Sequence, residues 1–185
     1  VPNIQTENET VVSANRTAEK RKDVAQKIQV LRASEIQFQQ QTSMADVLAN
    51  SGSIFVQKSQ LGGGSPIIRG FETNKVLLVV DGIRMNNAIY RGGHLQNSLT
   101  LDQANMDRVE LVFGPGSVMY GSDAIGGVMS FQTKKPLFSS SDQLLVRSSA
   151  YMRGFSAGAG YSANAQVNIG SKRFASLTSI SYAAF

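Results

Sequence analysis

The sequence contains no cysteine, no tryptophan and a single histidine in 185 residues. The absence of cysteine excludes disulfides, thiolate chemistry and cysteine-based metal sites. Because His94 is the only imidazole, a His-rich zinc site is impossible, and any Ser-His nucleophile pair would depend on that one residue. We therefore predict that the protein is not an enzyme.

Long apolar runs are also missing. No stretch of 18 apolar residues occurs, which excludes a transmembrane helix. Residues 1–21 are polar throughout and do not fit a signal peptide, so we expect that an exported form has already lost its signal. The net charge is +5, and the basic cluster at 16–32 lacks aromatic residues and contains Glu19 and Asp23, which favours a solvated face over a nucleic-acid surface.

Glycine, by contrast, is abundant, and it is densest in residues 107–134, which read DRVELVFGPGSVMYGSDAIGGVMSFQTK. Glycine serves where the backbone takes a positive φ or approaches another backbone closely. The pattern predicts strands at 108–113 and 127–133. Two turns, at 114–116 and at Gly121, enclose a short segment over 117–120. This order indicates a turn-rich β unit rather than a helical core.

The same stretch closely resembles the end of the plug domain of TonB-dependent outer-membrane transporters, whose usual form reads IERIEV-x-x-GP-x-S-x-x-YGS-x-AIGGVINI-x-TK. The matching positions are Val109, Glu110, Gly114, Pro115, Ser117, Tyr120, Gly121, Ser122, Ala124, Ile125, Gly126, Gly127, Val128, Thr133 and Lys134. The stretch departs from this form in two places, because Phe113 replaces a usually basic residue and Met129-Ser130 replaces Ile-Asn. The alternative is a glycine-rich loop in an unrelated β protein.

Further landmarks of the family precede this stretch in the same order. Thr42 or Ser43 is a candidate cap for a helix with apolar residues at Met44, Val47 and Leu48, and Asn50-Ser51-Gly52 is predicted to end it. Upstream, residues 23–35 predict a short strand followed by a turn near Ala33-Ser34.

Residues 62–66 predict a flexible connector, and 67–71 match the family's "I-x-IRG" strand. An apolar strand at 75–80 turns at Asp81-Gly82 into 83–85, as expected of a hairpin. A polar loop over 86–101 and a short helix near 102–106 follow. The resemblance implies an α+β plug domain with a small mixed β-sheet and short helices, in which Arg69 and Glu110 are internal charges that pair with one another or with a barrel wall.

The N-terminal tail contains one β-prone run, Glu9-Thr10-Val11-Val12-Ser13-Ala14. Ahead of a plug, this run resembles a TonB box, the segment by which such transporters engage TonB, the inner-membrane energising partner. Strand addition is the physical basis, because an extended segment offers its backbone groups to a partner's sheet edge. We expect residues 1–15 to form this tail and 16–136 to form the plug.

Residues 137–185 have a different composition, with small and polar β-like stretches at 143–152, 161–170 and 174–182. Residues 165–169 alternate as a strand with one lipid-facing and one lumen-facing side does, whereas the other two stretches alternate poorly. We predict the first antiparallel strands of a transmembrane β-barrel; a soluble β-hairpin is the alternative. Three strands cannot close a barrel, and plugged transporters use about 22, so we expect a longer polypeptide.

The best candidate for ligand contact is the loop at 86–97, which contains Tyr90, Arg91 and His94 beside Gly92-Gly93. The surrounding motifs look closest to the branch of the family that handles haem or haem proteins. That resemblance implies His94 as a haem-iron ligand and Tyr90 and Arg91 as contacts to the macrocycle or its propionates.

An exposed histidine without a ligand is the alternative for His94. We expect haem as a transported ligand and no permanently bound cofactor, with cobalamin, a ferric siderophore or a saccharide as alternative cargo. The resemblance also implies the bacterial outer membrane, with the N-terminal tail in the periplasm. A secreted adhesive β protein is the alternative from another class.

Overall fold

The structure, a computed structural model, describes residues 10–11, 19–41, 43–60, 63–71, 75–85, 101–156 and 160–184. Two units are present, Val1–Thr133 and Lys134–Phe185. The strands are β1 (Thr10–Val11), β2 (Glu19–Lys20), β3 (Lys27–Arg32), β4 (Phe55–Gln60), β5 (Gly63–Ile67), β6 (Val76–Val80), β7 (Ile83–Arg84), β8 (Met106–Phe113), β9 (Gly127–Thr133), β10 (Leu145–Phe155), β11 (Gly160–Gly170) and β12 (Ala175–Ala184). The α-helices are α1 (Ala33–Gln39), α2 (Met44–Asn50) and α3 (Ser117–Tyr120), and short 3₁₀ helices cover Arg21–Asp23, Gln103–Asn105 and Ser122–Ala124.

A five-stranded mixed sheet forms the centre of the first unit, in the order β3-β8-β9-β6-β7. The pairing of β6 with β9 is parallel, and the other neighbours are antiparallel. The β6 sequence VLLVV is continuously apolar because both faces of the sheet are covered. This arrangement confirms the predicted α+β plug fold with a small mixed sheet.

Each face of this sheet packs against a different set of residues. One face packs against α1 and α2 and contains Leu111, Met129 and Phe131. The other packs against Val11 of β1 and Tyr120 of α3. Side chains alternate between the faces of a strand, so Glu110 and Val112 lie on the β1 side. The N-terminal strand is therefore part of a core rather than a free tail.

Helix α2 begins and ends where the sequence predicts. The Ser43 side chain accepts a hydrogen bond from the Asp46 backbone N–H (3.3 Å), which caps the first turn. Met44, Val47 and Leu48 are buried. Beyond the helix, Gly52 takes a positive φ of 72°.

Three local predictions are wrong. Residues 67–71 do not form a strand, because β5 ends at Ile67 and Ile68 bridges to Phe71 across a turn at Arg69 and Gly70, which both have a positive φ (50° and 83°).

The predicted turn at Ala33-Ser34 is the start of α1, where the Arg32 N–H donates to Glu35 Oε2 (3.2 Å) and Ile36 is buried. The predicted connector at 62–66 largely belongs to β5, which pairs with β4. At Gly64 an added Cβ would lie 2.4 Å from the Val56 side chain, so glycine is used there for packing rather than for flexibility.

The turn between β8 and β9 also depends on close backbone approach. The Gly116 N–H donates to the Ala124 carbonyl (2.8 Å), and the Gly126 N–H donates to the Lys75 carbonyl (2.7 Å). An added Cβ at Gly126 would lie 2.4 Å from Cβ of Phe71. These contacts explain the glycine density, and β9 has the predicted bounds.

The second unit is a three-stranded antiparallel sheet in the order β10-β11-β12. Its strands are ten or eleven residues long, which is the length of a tilted membrane-spanning strand. As for the helices, those in the described parts of the chain are too short or too polar to cross a membrane.

Candidate functional site: the N-terminal strand and its polar network

The two described residues of the predicted TonB box form β1, which pairs antiparallel with β2. Thr10 lies opposite Lys20, and Val11 lies opposite Glu19. The Val11 side chain is 1% exposed and packs against the core that contains Val112 and Val128. Burying a valine side chain stabilises the folded state by about 1.5–3 kcal/mol relative to leaving it exposed to water. The segment is thus held by pairing and by packing.

A chain of polar contacts leads from β1 to the middle of the sheet. The Thr10 carbonyl accepts a hydrogen bond from Arg108 Nη1 (3.1 Å). Arg108 Nε donates to Gln132 Oε1 (2.8 Å) and lies 3.4 Å from Glu110 Oε1. Gln132 Nε2 in turn donates to the same Glu110 oxygen (3.1 Å).

Glu110 is fully buried, so its carboxylate depends on these partners. The predicted internal position of Glu110 is therefore confirmed, and Arg108 forms an ion pair with it. Arg69, the other predicted internal charge, is exposed in the first unit. Arg108 and Gln132 were missed at the sequence level. Arg108 could have been predicted as a neighbour of Glu110, because residues two apart on a strand share a face.

Phe113, which replaces the family's usual basic residue, has two cations close to its ring. Lys27 Nζ and Arg69 Cζ are each 5.6 Å from the centre of its ring. Lys27 is the cross-strand neighbour of Phe113, and Arg69 occupies a turn with a positive φ of 50°. Positive charge is therefore retained beside position 113 through neighbouring residues.

The ligand-contact candidates Tyr90, Arg91 and His94 lie outside the described residues. The anchors on either side of their loop are described. The Met85 N–H donates to the Leu78 carbonyl (2.9 Å), and Leu101 is buried. Arg84 Nη2 and Asp123 Oδ2 form an ion pair (2.8 Å) that joins β7 to the turn before β9. Of the predicted TonB box, Glu9, Val12, Ser13 and Ala14 also lie outside the described residues.

The sheet of the second unit has two chemically opposite faces. Along β11 the buried positions include Asn164, Gln166 and Asn168, whereas Tyr161, Val167 and Ile169 are exposed. Asn164 Nδ2 donates to Ser181 Oγ (2.7 Å), and Gln166 Nε2 donates to Ser179 Oγ (3.2 Å), which links the polar face across β12. A polar inner face with an apolar outer face is typical of a membrane-barrel wall.

No group of three or more His, Cys, Asp and Glu side chains within the described ranges could hold a metal ion.

Comparison with known proteins identifies the architecture. The sequence profile described as "TonB-dependent Receptor Plug Domain" matches residues 20–128, more than half of the chain. The chain belongs to the TonB-dependent receptors. It is 40% identical over 134 residues to a "Vitamin B12 transporter BtuB" of Vibrio vulnificus, which covers 70% of the chain and 21% of the relative.

A "Hemin receptor" of Yersinia enterocolitica is 43% identical over 93 residues, which cover 50% of this chain and 13% of that receptor. Among solved structures, the alcaligin outer membrane receptor FauA from Bordetella pertussis superposes with a TM-score of 0.70 at 21% identity, over 95% of this chain and 29% of that one. The first of these relatives is thus about five times longer than the part that the chain matches.

This membership settles several predictions. The protein belongs to a family of receptors and transporters rather than enzymes, and its location is the bacterial outer membrane. The first antiparallel strands of a β-barrel follow the plug, as predicted. TonB is the energising partner of the family as a whole. The predicted domain bounds and the predicted site residues stay predictions.

Proposed function

We propose that this TonB-dependent receptor imports haem, or iron taken from haem proteins, with TonB pulling on residues 9–14. The observation that carries the transport mechanism is β1, an extended segment at the N-terminal side of the plug profile. Its backbone groups suit strand addition, and within the described residues it is held through Thr10 and Val11 alone. Such a segment can leave the plug without unfolding the five-stranded sheet.

The cargo proposal rests on the loop between β7 and the Gln103–Asn105 3₁₀ helix. Its sequence brings Tyr90, Arg91 and His94 within five residues. A neutral imidazole suits haem iron, and an arginine suits a propionate. The similarity to the hemin receptor of Yersinia enterocolitica supports this cargo.

Cobalamin is the second candidate. The similarity to the vitamin B12 transporter of Vibrio vulnificus extends over more of the chain than the similarity to the hemin receptor. An imidazole can also contact a cobalt corrinoid, so the loop composition alone does not separate the two ligands.

The transport proposal is tested by proline substitution in the N-terminal segment of the complete receptor. Val12→Pro removes a backbone N–H that strand addition needs, and Asn8→Pro is the matched control outside the segment. We expect Val12→Pro to abolish TonB-dependent uptake and Asn8→Pro to retain it. A secreted adhesive protein would instead show no TonB binding, and deletion of residues 9–14 would change nothing.

The cargo proposal is tested by titrating the purified receptor with haem and, separately, with cyanocobalamin. We expect haem to bind with a Soret shift that is lost in His94→Ala, with affinity lowered on the order of tenfold or more. His94→Gln is the control for the loss of polarity. Unchanged haem affinity and an unchanged Soret band in His94→Ala would remove the histidine assignment. Cyanocobalamin binding without haem binding would favour the second candidate.

A further inference from the structure

The second unit carries the net positive charge of the chain. Residues 134–185 contain one acidic residue, Asp142, and six basic residues, namely Lys134, Lys135, Arg147, Arg153, Lys172 and Arg173. Residues 1–133 contain twelve acidic and twelve basic residues, so their formal net charge is zero. The formal charge of +5 therefore belongs to the unit that forms the first barrel strands.

Two of these cations lie on the polar inner face of the three-stranded sheet, the face that contains the β11 amides. In β10, Arg147 lies opposite Asn168, and Arg153 lies opposite Ser162. Directly opposed residues in antiparallel strands share a face, and so do residues two apart on one strand. Both arginines therefore project from the same side of the sheet as Asn164 and Asn168.

No acidic side chain accompanies these two arginines on the sheet. The sequences of β10, β11 and β12 contain neither aspartate nor glutamate. Asp142 precedes β10, and its Oδ1 lies 2.6 Å from Lys172 Nζ. In the part of the chain that the structure describes, Arg147 and Arg153 thus form no ion pair, and the plug sequence has no net negative charge to offset them.

Arg153 is held in a defined position by an aromatic ring. Its Cζ lies 4.4 Å from the centre of the Tyr151 ring, which is a cation–π contact. Tyr151 lies opposite Asn164, so the ring, the guanidinium and the amide belong to one patch of the inner face. A guanidinium stacked in this way still presents its N–H groups at its edge, and their planar arrangement matches a carboxylate.

We propose that Arg153, stacked on Tyr151, binds a carboxylate of the transported ligand at the inner face of the second unit. Arg147 is a second cation on the same face. This inference rests on the proposed function and narrows the cargo to ligands that carry a carboxylate. Haem fits this class because it has two propionates, whereas cyanocobalamin carries amides and a phosphodiester but no carboxylate.

The anion site is tested first without any cargo. Because the chain has no cysteine, Ser162→Cys, opposite Arg153, can carry a fluorophore in the complete receptor. We expect the additional substitution Arg153→Gln to lower quenching by the anion iodide about twofold or more, and to leave quenching by neutral acrylamide unchanged. Arg173→Gln removes the same charge from the turn before β12 and is the matched control, with no expected effect.

The ligand class is tested by titrating the complete receptor with haem and with haem dimethyl ester, in which both propionates are blocked. We expect Arg153→Gln to lower the affinity for haem on the order of tenfold and to leave the affinity for the ester unchanged. Arg153→Lys retains the charge without the planar guanidinium, and we expect it to recover part of the loss. Arg173→Gln is again the control.

Two results would overturn the carboxylate site. An equal loss of affinity for haem and for its ester in Arg153→Gln would show that the arginine supports the fold rather than a carboxylate. Iodide quenching that Arg153→Gln does not change would show that this charge is neutralised elsewhere in the receptor. If the unmodified receptor binds no haem, the proposed cargo fails instead, and the iodide measurement still decides whether the inner face attracts anions.

Discussion

The two units of this chain place their polar and apolar side chains in opposite ways. In the five-stranded sheet the strands β6, β8 and β9 bury apolar side chains on both faces, and the buried carboxylate of Glu110 contacts Arg108 and Gln132. In the three-stranded sheet the buried positions of β11 are amides, and valine and isoleucine are exposed. The difference teaches that the first unit buries its apolar side chains away from water, whereas the second presents them on a surface suited to lipid, although both units are built from strands.

The largest effect is expected from a cavity in the first unit. Phe131 is fully buried, so we expect Phe131→Ala to lower the free energy of unfolding of this unit by about 3–5 kcal/mol. Phe38→Ala is the control, because the Phe38 side chain is 87% exposed. Urea denaturation, monitored by hydrogen exchange of the β9 amides, measures the free energy of unfolding of both variants. Equal losses in the two variants would contradict the assigned core.

The next effect sharpens the comparison within one strand of the second unit. Ser148 lies opposite Val167 on the apolar face, and Ser149 lies opposite Gln166 on the polar face. We expect Ser148→Arg to destabilise the membrane-inserted receptor by about 2–4 kcal/mol if it lies near the bilayer midplane, and Ser149→Arg to have little effect.

The amount of heat-modifiable, folded receptor in isolated outer membranes reports this difference. Neighbouring serines with the same substitution control for local sequence and for added charge. If Ser149→Arg is the more damaging of the two, the assignment of the faces is reversed.

A smaller effect is expected when a closely packed glycine is replaced, compared with a glycine that has open space around it. An added Cβ at Gly126 meets Phe71 and the Lys75 carbonyl, whereas at Gly154, in β10, nothing lies within 4 Å. We expect Gly126→Ala to cost about 1–3 kcal/mol and Gly154→Ala to stay within about 0.5 kcal/mol. Thermal unfolding of the receptor in detergent measures both, and a neutral Gly126→Ala would refute the close contact.

Much of the first unit could be predicted from sequence where local signals were strong. Strand β9 and helix α2 have the predicted bounds because glycine and Ser43 mark their ends. Helix α1 was missed because it buries a single apolar residue, Ile36, and so lacks a periodic pattern. Strand β5 was missed because its partner β4, rather than its own glycine-rich sequence, determines its conformation.

The candidate site was predictable only in part. The family resemblance predicts a TonB box at 9–14, but the pairing of Thr10–Val11 with β2 depends on the packing of Val11 against distant strands. The cations beside Phe113 come from Lys27 and Arg69, which a strand register and a turn bring together. Such contacts between distant residues are not visible in a single sequence.

The central claim, a water-excluding plug followed by lipid-facing strands, is tested most directly along β11. The chain has no cysteine, so single cysteines at each position from 161 to 169 can carry a fluorophore in the complete receptor, reconstituted in bilayers with brominated lipids. The account predicts strong quenching at 161, 163, 165, 167 and 169 and weak quenching at the four positions between them. Uniformly weak quenching, or quenching without a two-residue period, would contradict it.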